Sequence, residues 1–191
     1  MTTRRAMMMG LGAAGLLAGC SGAPVRTATA GGVAGLETAI LELGPDVDPA
    51  EAARAARMAY DVSAQLAREY EIVDPPLIHN TKVNLGLKPR GLCYHWARDI
   101  QTRMTAARFA SLQFTGLVAN AENPFLLEHS TAVVIPRGGD WRQGVVLDPW
   151  RTGGILHWDQ VQDDTRYNWK ARADVPVRKR GAGVTLARAD G

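Results

Sequence analysis

Residues 129–150, "HSTAVVIPRGGDWRQGVVLDPW", hold two apolar runs on either side of Arg137-Gly138-Gly139-Asp140. The runs are rich in β-branched residues and the glycine pair suits a tight turn, so the stretch reads as an antiparallel hairpin. A two-residue turn at Gly138-Gly139 sets Arg137 against Asp140. That register puts Ile135 opposite Arg142, Val133 opposite Gly144 and His129 opposite Asp148. Directly opposed residues share a face, with Cβ atoms about 4.5–5.5 Å apart. A slip of one residue would send the histidine and the carboxylate to opposite faces.

Upstream of the hairpin, "SLQFTGLVA" (111–119) reads as another strand, with a turn around Asn123-Pro124 before His129. Before that strand, "GLCYHWARDI" (91–100) opens a helix close to Cys93. Its apolar stripe is Cys93, Ala97, Ile100, Met104 and Ala107, at helical spacing. Cys93 therefore occupies the first turn, on the edge facing the core. The unpaired N–H groups and positive dipole end there favour thiolate over thiol. His95 falls off the stripe and is expected to point away from it.

Residues 77–90, "LIHNTKVNLGLKPR", carry no clear period and read as an irregular lead-in ending at Pro89. Asp48-Pro49-Ala50-Glu51 is a helix start with an N-cap acid, proline at the first position and glutamate at the third. That helix runs to about Tyr70 on a stripe of Ala55, Met58, Ala59, Val62, Leu66 and Tyr70. A shorter helix precedes it over about Ala34–Leu43, and Asp74-Pro75-Pro76 closes the segment. Helices first and strands after give an α+β class, with the Cys93 helix packed on a small antiparallel sheet.

The compartment follows from "MTTRRAMMMGLGAAGLLAGC" (1–20): basic Arg4 and Arg5, an uncharged stretch from Ala6 to Ala18, and small residues before Cys20. The stretch is too short to span a bilayer and reads as a signal peptide over 1–19. Leu17-Ala18-Gly19-Cys20 resembles the lipobox of bacterial lipoproteins, which implies cleavage before Cys20 and its acylation. Thr3-Arg4-Arg5 resembles a twin-arginine export signal; arginine pairs also occur in ordinary leaders, so the export route stays open. Ser21 after Cys20, by resemblance to outer-membrane lipoproteins, points to that membrane. Residues 20–33, small and rich in glycine, alanine and threonine, read as a flexible tether. With Cys20 acylated, Cys93 is a lone thiol in an oxidising space, to be either buried or used.

The leader carries two arginines and no acids, so the formal charge of +3 falls to about +1 in the mature chain, which gives no basis for nucleic-acid binding. Residues 34–172 suffice for one domain, and the basic stretch 173–191 reads as a loosely ordered tail. With one usable cysteine and no His-x-x-x-His pair, no metal site is visible, and no phosphate-binding glycine motif implies a cofactor.

A cysteine at a helix start, a histidine on one strand and an aspartate after the next are the types that nucleophilic catalysis uses. The thiol attacks an acyl carbon, the imidazole moves its proton, and the carboxylate orients the imidazole. "GLCYHWA" resembles the Gly-Val-Cys-x-x-x-Ala of the transglutaminase-like branch of the papain-like superfamily. "EHSTAVVIPRGGDWRQGVVLDPW" is similar to that family's His-Ala-Trp strand, glycine turn, tryptophan and closing Asp-Pro-Thr. Ser130-Thr131 here replaces Ala-Trp, and Trp150 replaces the threonine. The resemblance spans residues 89–152 and implies a papain-like fold with Cys93 as nucleophile, His129 as base and Asp148 as orienting acid.

Backbone N–H of Cys93 and a side-chain donor from the preceding loop would meet the oxyanion, with Asn84 the candidate and Asn80 behind it. His79 and His157 read as structural or surface residues, and Trp150, Trp158 and Trp169 as core or groove residues. The function expected is an extracytoplasmic thiol enzyme acting on amide bonds of peptide, protein or cell-wall peptide, by hydrolysis or acyl transfer. Cell-wall amidases and endopeptidases of the same superfamily share the Cys-then-His order. The alternative is a catalytically idle lipoprotein whose groove binds peptide or cell-wall material.

Overall fold

A computed structural model describes residues 32–175. The leader, Cys20 and nearly all of the tether lie outside the described residues, as does the tail from residue 176. Four helices come first: α1 (Gly32–Leu41), α2 (Pro49–Glu69), α3 (Pro76–Asn84) and α4 (Cys93–Ala106). Strands β1 (Leu112–Ala119), β2 (His129–Pro136), β3 (Val145–Leu147), β4 (Trp158–Gln160) and β5 (Lys170–Ala171) follow. They form one antiparallel sheet in the order β4-β3-β2-β1-β5. The chain is α+β.

Asp48 caps α2 as its sequence suggests, its carboxylate accepting from Glu51 N at 2.9 Å. Glu51 itself reaches across the fold. Its oxygens accept from Ala110 N, Ser111 N and the Ser111 hydroxyl, each at 2.7 Å, which ties the start of α2 to the start of β1. The alanines at 52, 55, 56 and 59 are buried and let α1 approach the α2 backbone closely. One core lies between the helices and the sheet, where α4 packs on β1 and β2 with Trp96, Ile100 and Met104 buried. A second cluster covers the far face, where Leu117, Val133, Ile135 and Val146 meet Val161 and Trp169. The sheet is thus buried on both faces around β2, which explains its unbroken apolar run. The fold continues past residue 172: Val175 is buried with Val118 and Ala121.

The hairpin differs from the expected two-residue turn. Gly139 N donates to Pro136 O at 2.9 Å, and Gly138 has φ +77°, the positive value that a type II turn needs at its third residue. A 3-10 turn over Trp141–Gln143 then lengthens the connection. Val133 consequently pairs with Val146, two residues beyond the expected Gly144. Because side chains alternate with a period of two, this offset preserves every face. His129 and Asp148 still lie on one side, as diagonal rather than direct neighbours.

The 77–90 segment is also corrected, since its first eight residues, with Pro76 before them, form α3 rather than an irregular lead-in. Its buried residue is His79, while Leu77 and Ile78 are exposed, so no apolar stripe announced it. His79 Nε2 donates to Arg90 O at 2.8 Å, which fixes the approach to α4. Gly91 follows with φ +123°, a conformation that side chains other than hydrogen strain to adopt. A Cβ there would sit 2.4 Å from His79 Nε2. Gly91→Ala is therefore expected to cost at least about 2 kcal/mol by urea denaturation. A loss below about 0.5 kcal/mol, the range of ordinary surface changes, would contradict this account of the α4 start.

Candidate active site

Cys93 is the first helical residue of α4 and is buried. Its position depends on the residues around it. His95, expected to point away, is buried instead, and its Nδ1 accepts from Gly91 N and Leu92 N at 3.2 and 3.3 Å. It satisfies backbone donors that the helix leaves unpaired. Trp96 Nε1 donates to Gly91 O at 3.1 Å. The Cys93 N–H, at the first helical position, precedes every intrahelical acceptor and faces outward along the helix axis.

The Cys93 thiol donates to Glu128 O at 3.6 Å, one residue before the histidine that opens β2. His129 is buried, and its Nε2 bonds Asp148 Oδ2 at 2.6 Å. Nδ1 is buried without a hydrogen-bond partner among the described residues. It is the nitrogen left for the thiol. Burial alone would lower the imidazole's proton affinity. The Asp148 carboxylate outweighs it, with a further contribution from Cys93, and raises the His129 pKa to about 9. Asp148 is fully buried, which pushes its pKa up, yet the imidazolium and Arg151 hold it below the usual carboxylate range.

Asp148 follows β3, and its N–H donates to His157 O at 2.8 Å. Pro149 and a 3-10 turn over Trp150–Thr152 then fold the chain back on it. Arg151 N donates to Asp148 Oδ1 at 3.3 Å and Arg151 Nε to Oδ2 at 3.2 Å. Around the imidazole stand three aromatic rings, Trp150, Tyr167 and Trp169, with centroids at 4.7, 4.6 and 5.6 Å. They exclude water from the His129–Asp148 bond, which strengthens it. Trp158 lies apart, donating from Nε1 to the Tyr60 hydroxyl at 3.1 Å.

Cys93, His129 and Asp148 thus come together. Asn84 does not join them closely: it is the last residue of α3 and exposed. Asn80, one turn earlier, is the asparagine tied to the site, its Oδ1 accepting from Trp150 Nε1 at 3.0 Å. That bond leaves the Asn80 amide N–H groups for another acceptor. His157, half-buried, sits 3.0 Å from Arg151 Nη1 and accepts from it; burial and that guanidinium both lower its pKa. Sequence reading missed Arg151, Asp164 and Tyr167. Only Arg151, three residues after Asp148, carried a local signal. Among the described residues no group of three or more His, Cys, Asp or Glu could hold a metal ion. Comparison with protein-family models, with curated proteins and with solved structures finds no match for this chain.

The raised His129 pKa makes a signed prediction. A histidine whose folded pKa exceeds its unfolded value of about 6.5 stabilises fully below that pH and loses the contribution as pH rises through the folded value. Folding stability should therefore decline between pH 6.5 and about 9 on account of His129. Imidazole NMR should place its midpoint near 9, and Asp148→Asn should lower it. A midpoint at or below the ordinary histidine value would contradict the pairing.

Proposed function

We propose that this protein is a thiol enzyme acting on amide bonds through Cys93, His129 and Asp148, with a papain-like, transglutaminase-like core. The observation that carries the reading is the buried His129 Nε2–Asp148 Oδ2 bond of 2.6 Å, which leaves Nδ1 unpartnered beside the Cys93 thiol. The carboxylate fixes the imidazole's tautomer and plane, so the second nitrogen is committed to the cysteine.

In the reaction, the neutral imidazole, which gains population as pH approaches the His129 pKa of about 9, takes the thiol proton at Nδ1 as Sγ attacks the amide carbonyl carbon and a C–S bond forms. The oxyanion is met by the Cys93 N–H and, as second donor, the Asn80 amide in place of Asn84. The C–N bond then breaks, and Nδ1 returns its proton to the departing amine. Water or another amine, deprotonated at the same imidazole, releases the thioester. Hydrolysis and acyl transfer differ only in that last nucleophile. Peptide, protein or cell-wall peptide is the substrate class, and no cofactor enters.

The protein is further proposed to be a lipoprotein anchored through Cys20 in the bacterial envelope. The described residues contain no helix long and apolar enough to cross a membrane, and the lipobox would supply the attachment. A Cys20→Ala variant should lose acylation and partition to the soluble fraction; equal membrane association without lipid on the native protein would contradict the anchor.

Activity is tested on the purified full chain with a library of peptide amides and cell-wall peptides. Cys93→Ala and His129→Ala should each abolish turnover. Asp148→Asn should retain more, since Asp148 orients the base without handling the proton. Undiminished amide-bond activity in Cys93→Ala would overturn the reading. A native protein that binds these peptides without turning any over would favour the idle binding lipoprotein instead.

A further inference from the structure

Behind the His129–Asp148 bond lies a second buried carboxylate that the reaction does not use. Asp164 grips Arg151 with both oxygens, Nη1 to Oδ1 at 3.0 Å and Nη2 to Oδ2 at 2.7 Å. Its side chain is 2% exposed and that of Arg151 10%. Asp164 is held from the other side by Trp169 Nε1 at 3.0 Å. Arg151 in turn lies 4.9 Å over the Tyr167 ring, and both Tyr167 and Trp169 pack against His129. The chain of contacts from His129 through Asp148, Arg151, Asp164 and Trp169 therefore closes on the imidazole again.

The charges explain why two carboxylates are present. Arg151 holds Asp148 at both oxygens, a useful constraint on the carboxylate's orientation. An unbalanced guanidinium so close would also take Asp148's charge for itself. It would compete with the imidazolium for one buried anion, where such competition is strong. Asp164 removes the competition by forming a bidentate pair with the same guanidinium. Asp148, Asp164, Arg151 and protonated His129 then sum to zero. Other titratable groups near them include the Cys93 thiol, the Tyr167 phenol with Arg166 over its ring, and His157, which accepts from Arg151 and also feels the Asp159 carboxylate.

We propose that Asp164 is a positioning residue of this site: it neutralises Arg151, so that Arg151 holds Asp148 in place while Asp148 keeps its charge for His129. The inference rests on the Cys93–His129–Asp148 reading and adds to it a residue that touches none of the reacting atoms.

The test is the NMR titration of the His129 imidazole in the full-length protein, without substrate. Asp164→Asn keeps the shape and an acceptor for Trp169 but removes the charge. The His129 midpoint should fall by about one unit or more, a tenfold or larger loss of proton affinity. The Arg151→Met/Asp164→Asn double variant removes the pair without net charge change and should return the midpoint toward native. Asp164→Glu, which keeps the charge, should leave it near native. A packing role alone would move none of these in this pattern. An unchanged midpoint in folded Asp164→Asn overturns the proposal, as does a double variant as low as the single. If Asp164→Asn alone fails to fold, a double variant that folds with a near-native midpoint supports charge balance. If the double variant also fails to fold, Asp164 acts through packing and the proposal falls. None of these outcomes bears on whether Cys93 attacks amides, which the Cys93→Ala activity decides separately.

Discussion

A buried hydrogen bond of 2.6 Å between His129 Nε2 and Asp148 Oδ2 sets the terms for the rest of this fold. Both side chains are 1% exposed. Charges so deeply placed cost several kcal/mol each unless they are paired and their remaining lone pairs satisfied. The surroundings meet that demand in detail. Asp148 receives two bonds from Arg151, its N–H is bonded to His157 O, and aromatic rings close over the imidazole. What stays unsatisfied is His129 Nδ1. A buried donor or acceptor without a partner carries a penalty of about 1–3 kcal/mol, so its presence beside a thiol calls for an explanation in function.

The thiol is held by a different device, built from backbone conformation. Gly91 supplies the positive φ, His79 pins Arg90, and His95 bonds the Gly91 and Leu92 N–H groups. Tyr70 and Arg90 both donate to Asp99, at 2.7 Å each, locking the lead-in to the body of α4. Three polar anchors therefore surround a turn whose purpose is to start a helix at one residue. A rigid helix start and a sheet buried on both faces bring Cys93 and His129 together from separate elements, a more exact placement than loops would allow.

Much of this was legible in the chain. The α2 start was plain because Asp48, Pro49 and Glu51 each fit one position of a helix N-terminus. The Cys93 helix was plain because its apolar residues recur at helical spacing. The hairpin was legible as to face but not as to register, since the 3-10 turn at Trp141–Gln143 adds residues without changing parity. His129 and Asp148 met despite the error. Helix α3 was hidden because it buries a histidine where a stripe of leucines would have announced it. Without that helix in view, nothing in the sequence showed that Asn80 would accept from Trp150. Strands β4 and β5, three and two residues long, are too short to show a period. Asp164 and Tyr167 were invisible because long-range packing alone brings them to Arg151. No local pattern encodes such a meeting.

The central claim is that His129 acts on Cys93 in the folded protein, and the rate of Cys93 alkylation tests it most directly. Iodoacetamide would be added to the native protein across pH 5–10 (a range of about five units around the two groups), with intact mass recording the adduct. Native Cys93 should alkylate without unfolding, and His129→Ala, with its fold retained, should react at least about tenfold more slowly near neutral pH. Equal rates in the two proteins, or a Cys93 that reacts only after denaturation, would contradict it and leave the thiol as a residue of the core.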